Sequence, residues 1–179
     1  MTILGTVRFW ISVLCCLRSS DKMDDKNMEK LFQLLKRITE NDVRDEEMIT
    51  PLLEIIREVA KTKDCVRVGI GGGIKFILDC IPTRGGHSDV ENRSEYDMDI
   101  LDTLLVLFSR KENSKLFIDL GGFDIVQRML IYWREDKSIQ IAGFKLLYLL
   151  VLRGYTTIGA QCLQHALGVE FSSYWTALK

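Results

Sequence analysis

The sequence predicts an all-α fold, and three observations carry that prediction. Only two prolines, Pro51 and Pro82, interrupt 179 residues. Apolar residues recur at spacings of three and four in several separate stretches, and glycine pairs fall between those stretches. Proline scarcity leaves long segments free to keep their backbone N–H bonds, and it argues against a loop-rich β sandwich. Spacings of three and four place side chains on one face of a helix, while glycine punctuates the turns.

The first firm helix runs from Met28 to Glu40, with Met28, Leu31, Phe32, Leu35 and Ile38 on one face and Glu29, Lys30, Lys36 and Arg37 off it. Asp24, Asp25 and Asn27 precede it as capping candidates, because a short side-chain oxygen accepts an orphan N–H of the first turn. Met48 to Thr62 repeats the pattern through Ile49, Leu52, Leu53, Ile56 and Val59, with Pro51 expected in the first turn. Val66 to Ile81 reads as a glycine turn, Gly69 to Gly73, opening a short apolar helix that Pro82 ends. Residues 83–95 are polar and read as a long exposed loop.

Asp97 to Ser109 returns to helix through Ile100, Leu101, Leu104, Leu105 and Phe108. A short segment ends at Gly121-Gly122, and Phe123 to Trp133 forms the next helix. Ser138 to Leu152 is apolar around most of its circumference, which predicts a helix buried between others. Ile158 to Leu167 reads as one more short helix, and residues 168–179 as an irregular tail.

Composition narrows the class. Hydrophobic residues at 47% exceed what a disordered chain carries, and the length suits one domain with a real core. Lys plus Arg number 24 against 25 Asp plus Glu, so the formal charge of −1 gives no global attraction to nucleic acid or anionic lipid. Five cysteines, Cys15, Cys16, Cys65, Cys80 and Cys162, show no C-x-x-C spacing and sit among apolar or small residues. They read as core thiols in a reducing compartment. Residues 1–17 are mostly apolar but too short to span a bilayer, and no small-x-small cleavage site follows. A buried first helix is the preferred reading, ahead of a signal or anchor that would make the protein membrane-associated or secreted.

Gly72-Gly73-Ile74-Lys75-Phe76-Ile77 aligns with Gly121-Gly122-Phe123-Asp124-Ile125-Val126, two glycine pairs opening apolar helices 49 residues apart. Helices alone, repeating near that period, mark a solenoid whose units cannot bury their faces singly. The pattern resembles the armadillo family, whose units run from a short helix through glycine into a second helix and a long third one. Asn113 to Leu120, Gly121-Gly122, Phe123 to Trp133 and Ser138 to Leu152 follow that order, and Cys65 to Ile70, Gly72-Gly73, Ile74 to Ile81 and Asp97 to Ser109 follow it less closely. HEAT-like repeats are the nearest alternative. The resemblance implies a right-handed α-solenoid of about three units over residues 28–167, with residues 1–27 as an apolar helix and linker from an incomplete unit. It also implies a groove for partner segments. The tryptophan and asparagine ladder of importin-like members is missing from Asp97 to Ser109 and Ser138 to Leu152, which speaks against nuclear-signal binding.

Motifs for chemistry were sought as well. Gly69 to Lys75 has neither G-K-[ST] nor G-x-G-x-x-G in register, so it reads as an interhelical turn rather than a phosphate cradle. His87 and His165 are the only histidines and assemble neither a metal pair nor a nucleophile with its base. The carboxylates Asp24, Asp25, Asp45, Glu46 and Glu47 lie at helix starts, where they oppose the dipole. No enzyme, cofactor or metal is therefore expected. The expectation is a cytoplasmic or nuclear scaffold binding protein partners, without nucleic acid or membrane, in a groove lined by Asp97 to Ser109 and Ser138 to Leu152. Trp133 and Tyr148 are candidate contacts because aromatics dominate interface hot spots, and Lys145 is one as the single charge within an apolar helix.

Overall fold

The computed structural model describes residues 23–40, 46–81 and 90–155, and every regular element among them is helical. The predicted apolar helix before residue 17, the helix from Ile158 to Leu167 and the tail lie outside the described residues.

Helix α1 (Asp25–Glu40) starts where Asp24 accepts the Asn27 N–H at 2.8 Å, and it buries Met28, Leu31, Leu35 and Ile38. Helix α2 (Glu46–Ala60) buries Ile49, Leu52, Leu53, Ile55, Ile56 and Val59. It begins earlier than the apolar spacing predicts, so Pro51 falls in the second turn rather than the first. There its missing N–H forgoes an intrahelical bond, a loss the well-buried leucines and isoleucines of the helix offset.

Helix α3 (Cys65–Val68), a single wide π-type turn (Gly69–Gly73) and α4 (Ile74–Cys80) follow almost without interruption. The turn is possible because Gly72 takes φ 117°, a region that side chains with a Cβ avoid. Gly121, before α7, takes φ 71°. The first glycine of each pair thus takes a positive φ ahead of an apolar helix, Gly72 inside the π turn and Gly121 as the left-handed N-cap of α7.

Helix α5 (Val90–Leu107) corrects the predicted loop 83–95, because residues 90–95 are already helical. That first part offers no apolar period to read: Ser94 and Glu95 face outward, and Ser94 Oγ donates to Asp136 Oδ2 at 2.6 Å. Residues 82–89 are outside the described residues. Helices α6 (Lys111–Asp119) and α7 (Gly122–Tyr132) are short, and α8 (Lys137–Leu152) is capped by Asp136, whose carboxylate accepts the N–H groups of Ser138 and Ile139 at 2.9 and 3.2 Å.

The long helices lie side by side, α2 along α5 and α5 along α8. Their direction follows from polar contacts at both ends. Ser94 meets Asp136 where α5 and α8 begin, and Arg153 Nη2 donates to the Ser109 carbonyl at 3.1 Å where they end. The two therefore run parallel. Arg57 on α2 pairs with Asp99 on α5 at 3.1 Å, and Cys65 Sγ, just past α2, lies 3.4 Å from Ser109 Oγ, just past α5, which gives α2 the same direction. Behind this row, α1 packs on the π turn and α4, α6 on α4 and α7, and α7 on α8. One continuous core joins them, with Phe76, Phe108 and Phe117 its largest fully buried side chains and the Phe108 and Phe117 rings edge-on at 4.9 Å.

Most long-range polar contacts span nearly one distance along the chain. Met23 to Asp64 is 41 residues, Asp25 to Arg67, Arg57 to Asp99 and Ser94 to Asp136 are each 42, Ser109 to Arg153 is 44 and Cys65 to Asn113 is 48.

Candidate functional site

Each long helix turns one row of side chains away from the core. On α2 the row is Thr50, Glu54 and Arg57, continued by Lys61 just past its end; on α5 it is Glu95, Asp99 and Asp102, continued by Val106, which packs partly against the core; on α8 it is Ile141, Lys145, Tyr148 and Leu152. Spacings of four, three and four put each set on one helix face. The three rows share one spacing along the chain, each α5 position lying 45 residues after its α2 counterpart and 46 before its α8 counterpart. Arg57 to Asp99 is the ion pair that crosses from the first row to the second.

The rows differ in chemistry. Arg57 answers Asp99, but among the described residues Glu95 and Asp102 make no ion pair, so α5 presents two unneutralised carboxylates. On α8, Ile141, Tyr148 and Leu152 are 56%, 55% and 62% exposed, an apolar strip interrupted by Lys145. A row of large apolar side chains held in water is the feature that marks interaction surfaces, whereas single exposed leucines are ordinary.

Of the predicted contact residues, Lys145 and Tyr148 lie on this outward row of α8. Trp133 lies elsewhere. It is 9% exposed, and its Nε1 donates to the buried Asp97 Oδ2 at 2.6 Å. A hydrogen-bonded indole in the core has little surface to offer a partner, so the structure corrects its assignment from contact to packing. The expectation that α8 is enclosed on all sides is corrected too, because no described residue covers Ile141, Tyr148 and Leu152. Ile141, Leu152, Glu95 and Asp102 were not singled out from sequence. Aligning the three long helices at their 45- and 46-residue steps exposes all four at once.

Two glycines of the run serve close packing: a Cβ at Gly71 would collide with the Phe32 ring and one at Gly69 with the Asn113 amide.

Comparison with protein-family models, curated proteins and solved structures gave no match. No helix among the described residues is long and apolar enough to cross a membrane.

Proposed function

We propose that this chain is a non-catalytic scaffold that binds another protein on the outward rows of α5 and α8. The observation that carries the proposal is the exposed strip Ile141, Tyr148 and Leu152, on the helix that packs along α5 with its exposed Glu95 and Asp102. Water in contact with that strip is displaced favourably by an apolar partner.

The architecture we infer is a right-handed solenoid of about three armadillo-like units. Two units run α3–α4–α5 and α6–α7–α8, and α1 and α2 supply the later helices of the first. Support comes from the shared contact separation of 41 to 48 residues and from the positive φ at both Gly72 and Gly121. The short leading helices α3 and α6 favour armadillo over HEAT units, which have two helices each. In such a stack every unit contacts only its neighbours, and the aligned long helices form one extended face. The buried Cys65, which forms no disulfide, suits a reducing cytoplasmic or nuclear setting.

The test is paired affinity capture with the full chain, comparing wild type with Tyr148→Ala/Lys145→Ala and with Tyr132→Ala on α7. The proposal expects a partner retained by wild type and by Tyr132→Ala but lost from the double variant, with unchanged far-ultraviolet circular dichroism. A partner held equally by all three proteins contradicts it.

A further inference from the structure

The chemistry of the two rows specifies the occupant more narrowly, given that the face binds protein as proposed above. We infer that it is an amphipathic helix of another protein, with its apolar side on Ile141, Tyr148 and Leu152 and with lysine or arginine residues along the flank nearest α5.

The helical form follows from the strip. Ile141 to Leu152 spans three turns of α8, about 16 Å, with side chains at spacings of four, three and four. A ridge with that spacing packs into the groove between the corresponding ridges of another helix. A helix of about 16 residues covers it end to end. Lys145 does not spoil the contact, because its aliphatic stem adds apolar area while its amine reaches the rim.

The basic flank follows from charge. Glu95 and Asp102 lie on the neighbouring row, exposed and without an ion pair among the described residues, while Asp99 between them is already answered by Arg57. Like charge in an arriving helix meets repulsion there, and opposite charge gains both steering and register. The same carboxylates disfavour an anionic bilayer as the occupant. A second copy would bring its own acidic row to the contact.

The probes are two synthetic helices of about 16 residues, each with a leucine face, one flanked by lysines and the other by glutamates. Fluorescence anisotropy is read with the full chain. The lysine peptide is expected to bind, to weaken about tenfold with Glu95→Lys/Asp102→Lys and with rising salt, and to weaken similarly with Ile141→Ser/Tyr148→Ala. Glu112→Lys, exposed on α6, should leave binding unchanged. If the glutamate peptide binds as tightly and still depends on Tyr148, the basic flank is wrong while the protein-binding face stands. If neither peptide binds the folded chain, both readings fall. Co-sedimentation with phosphatidylcholine/phosphatidylserine vesicles, or dimerisation in sedimentation equilibrium, overturns the inference if Ile141→Ser/Tyr148→Ala abolishes it, because the occupant is then a bilayer or a second copy.

Discussion

Asn113 and Cys65, 48 residues apart, share a buried hydrogen bond: Asn113 Nδ2 donates to the Cys65 carbonyl at 3.0 Å and also to the Leu107 carbonyl at 2.9 Å. One amide thereby joins α6 both to the start of α3 and to the end of α5. Its Oδ1 is buried without a hydrogen-bond partner and faces Gly69. Both carbonyls also accept a backbone N–H, from Gly69 and from Arg110, so replacing Asn113 by alanine removes two hydrogen bonds without stranding either carbonyl, and urea denaturation should show a loss of about 1–3 kcal/mol. Asn113→Asp should be worse, because it removes the donor and adds a buried charge. Equal stability of Asn113→Ala and wild type would contradict this role.

Gly143 lets α8 approach α7. A Cβ there would overlap Leu130 Cδ2, a fully packed side chain. Gly143→Ala should cost about 1–3 kcal/mol through overpacking. Shortening the neighbour in Gly143→Ala/Leu130→Ala should cost less than the two single changes added together, a coupling that a double-mutant cycle measures.

Trp133 and Tyr148 should part company in stability. Trp133→Ala removes a buried indole together with its bond to Asp97 and should cost about 3–5 kcal/mol. Tyr148→Ala, on the outward row, should lie within about 0.5 kcal/mol of wild type. A large loss at Tyr148 would mean that its face belongs to the core.

Asp136 sets an acid limit. The Ser94 hydroxyl bond lowers its pKa most, followed by the Ile139 amide, against an opposing effect of burial that exceeds the further lowering by the Ser138 amide. A folded-state pKa below the ordinary value means that the ionised cap stabilises fully above the unfolded pKa of about 4. That stabilisation is lost as pH falls through the lower folded value. Asp136→Asn keeps an acceptor for the cap but does not titrate. Its melting temperature should therefore fall less than that of wild type as the pH drops below about 4.

Much of this was legible in sequence for physical reasons. Helices with one apolar face, such as α1 and α2, carry their period openly, and the glycine pairs at Gly72 and Gly121 mark turns that need positive φ. Residues 90–95 escaped because Val90 is the one apolar residue of that stretch, so no apolar period could be read there. On α8 the difficulty was the reverse. Its outward row is apolar except for Lys145, so composition suggested enclosure, and only the exposure of Ile141, Tyr148 and Leu152 in the folded chain separates them from the core. Trp133 misled because an aromatic at a helix end reads alike as anchor or as core, and its Asp97 partner lies 36 residues away.

The central claim is that a protein covers the outward row of α8. It is tested most directly by placing a photo-crosslinking amino acid at position 148 of the full chain, or at position 132, and irradiating in cytosolic extract. Both positions are exposed tyrosines, at 55% and 53%, on different helices. The account predicts a discrete crosslinked protein from position 148, absent when Ile141→Ser is added, and none from position 132. Crosslinks from position 132 alone, or equally from both, would contradict it.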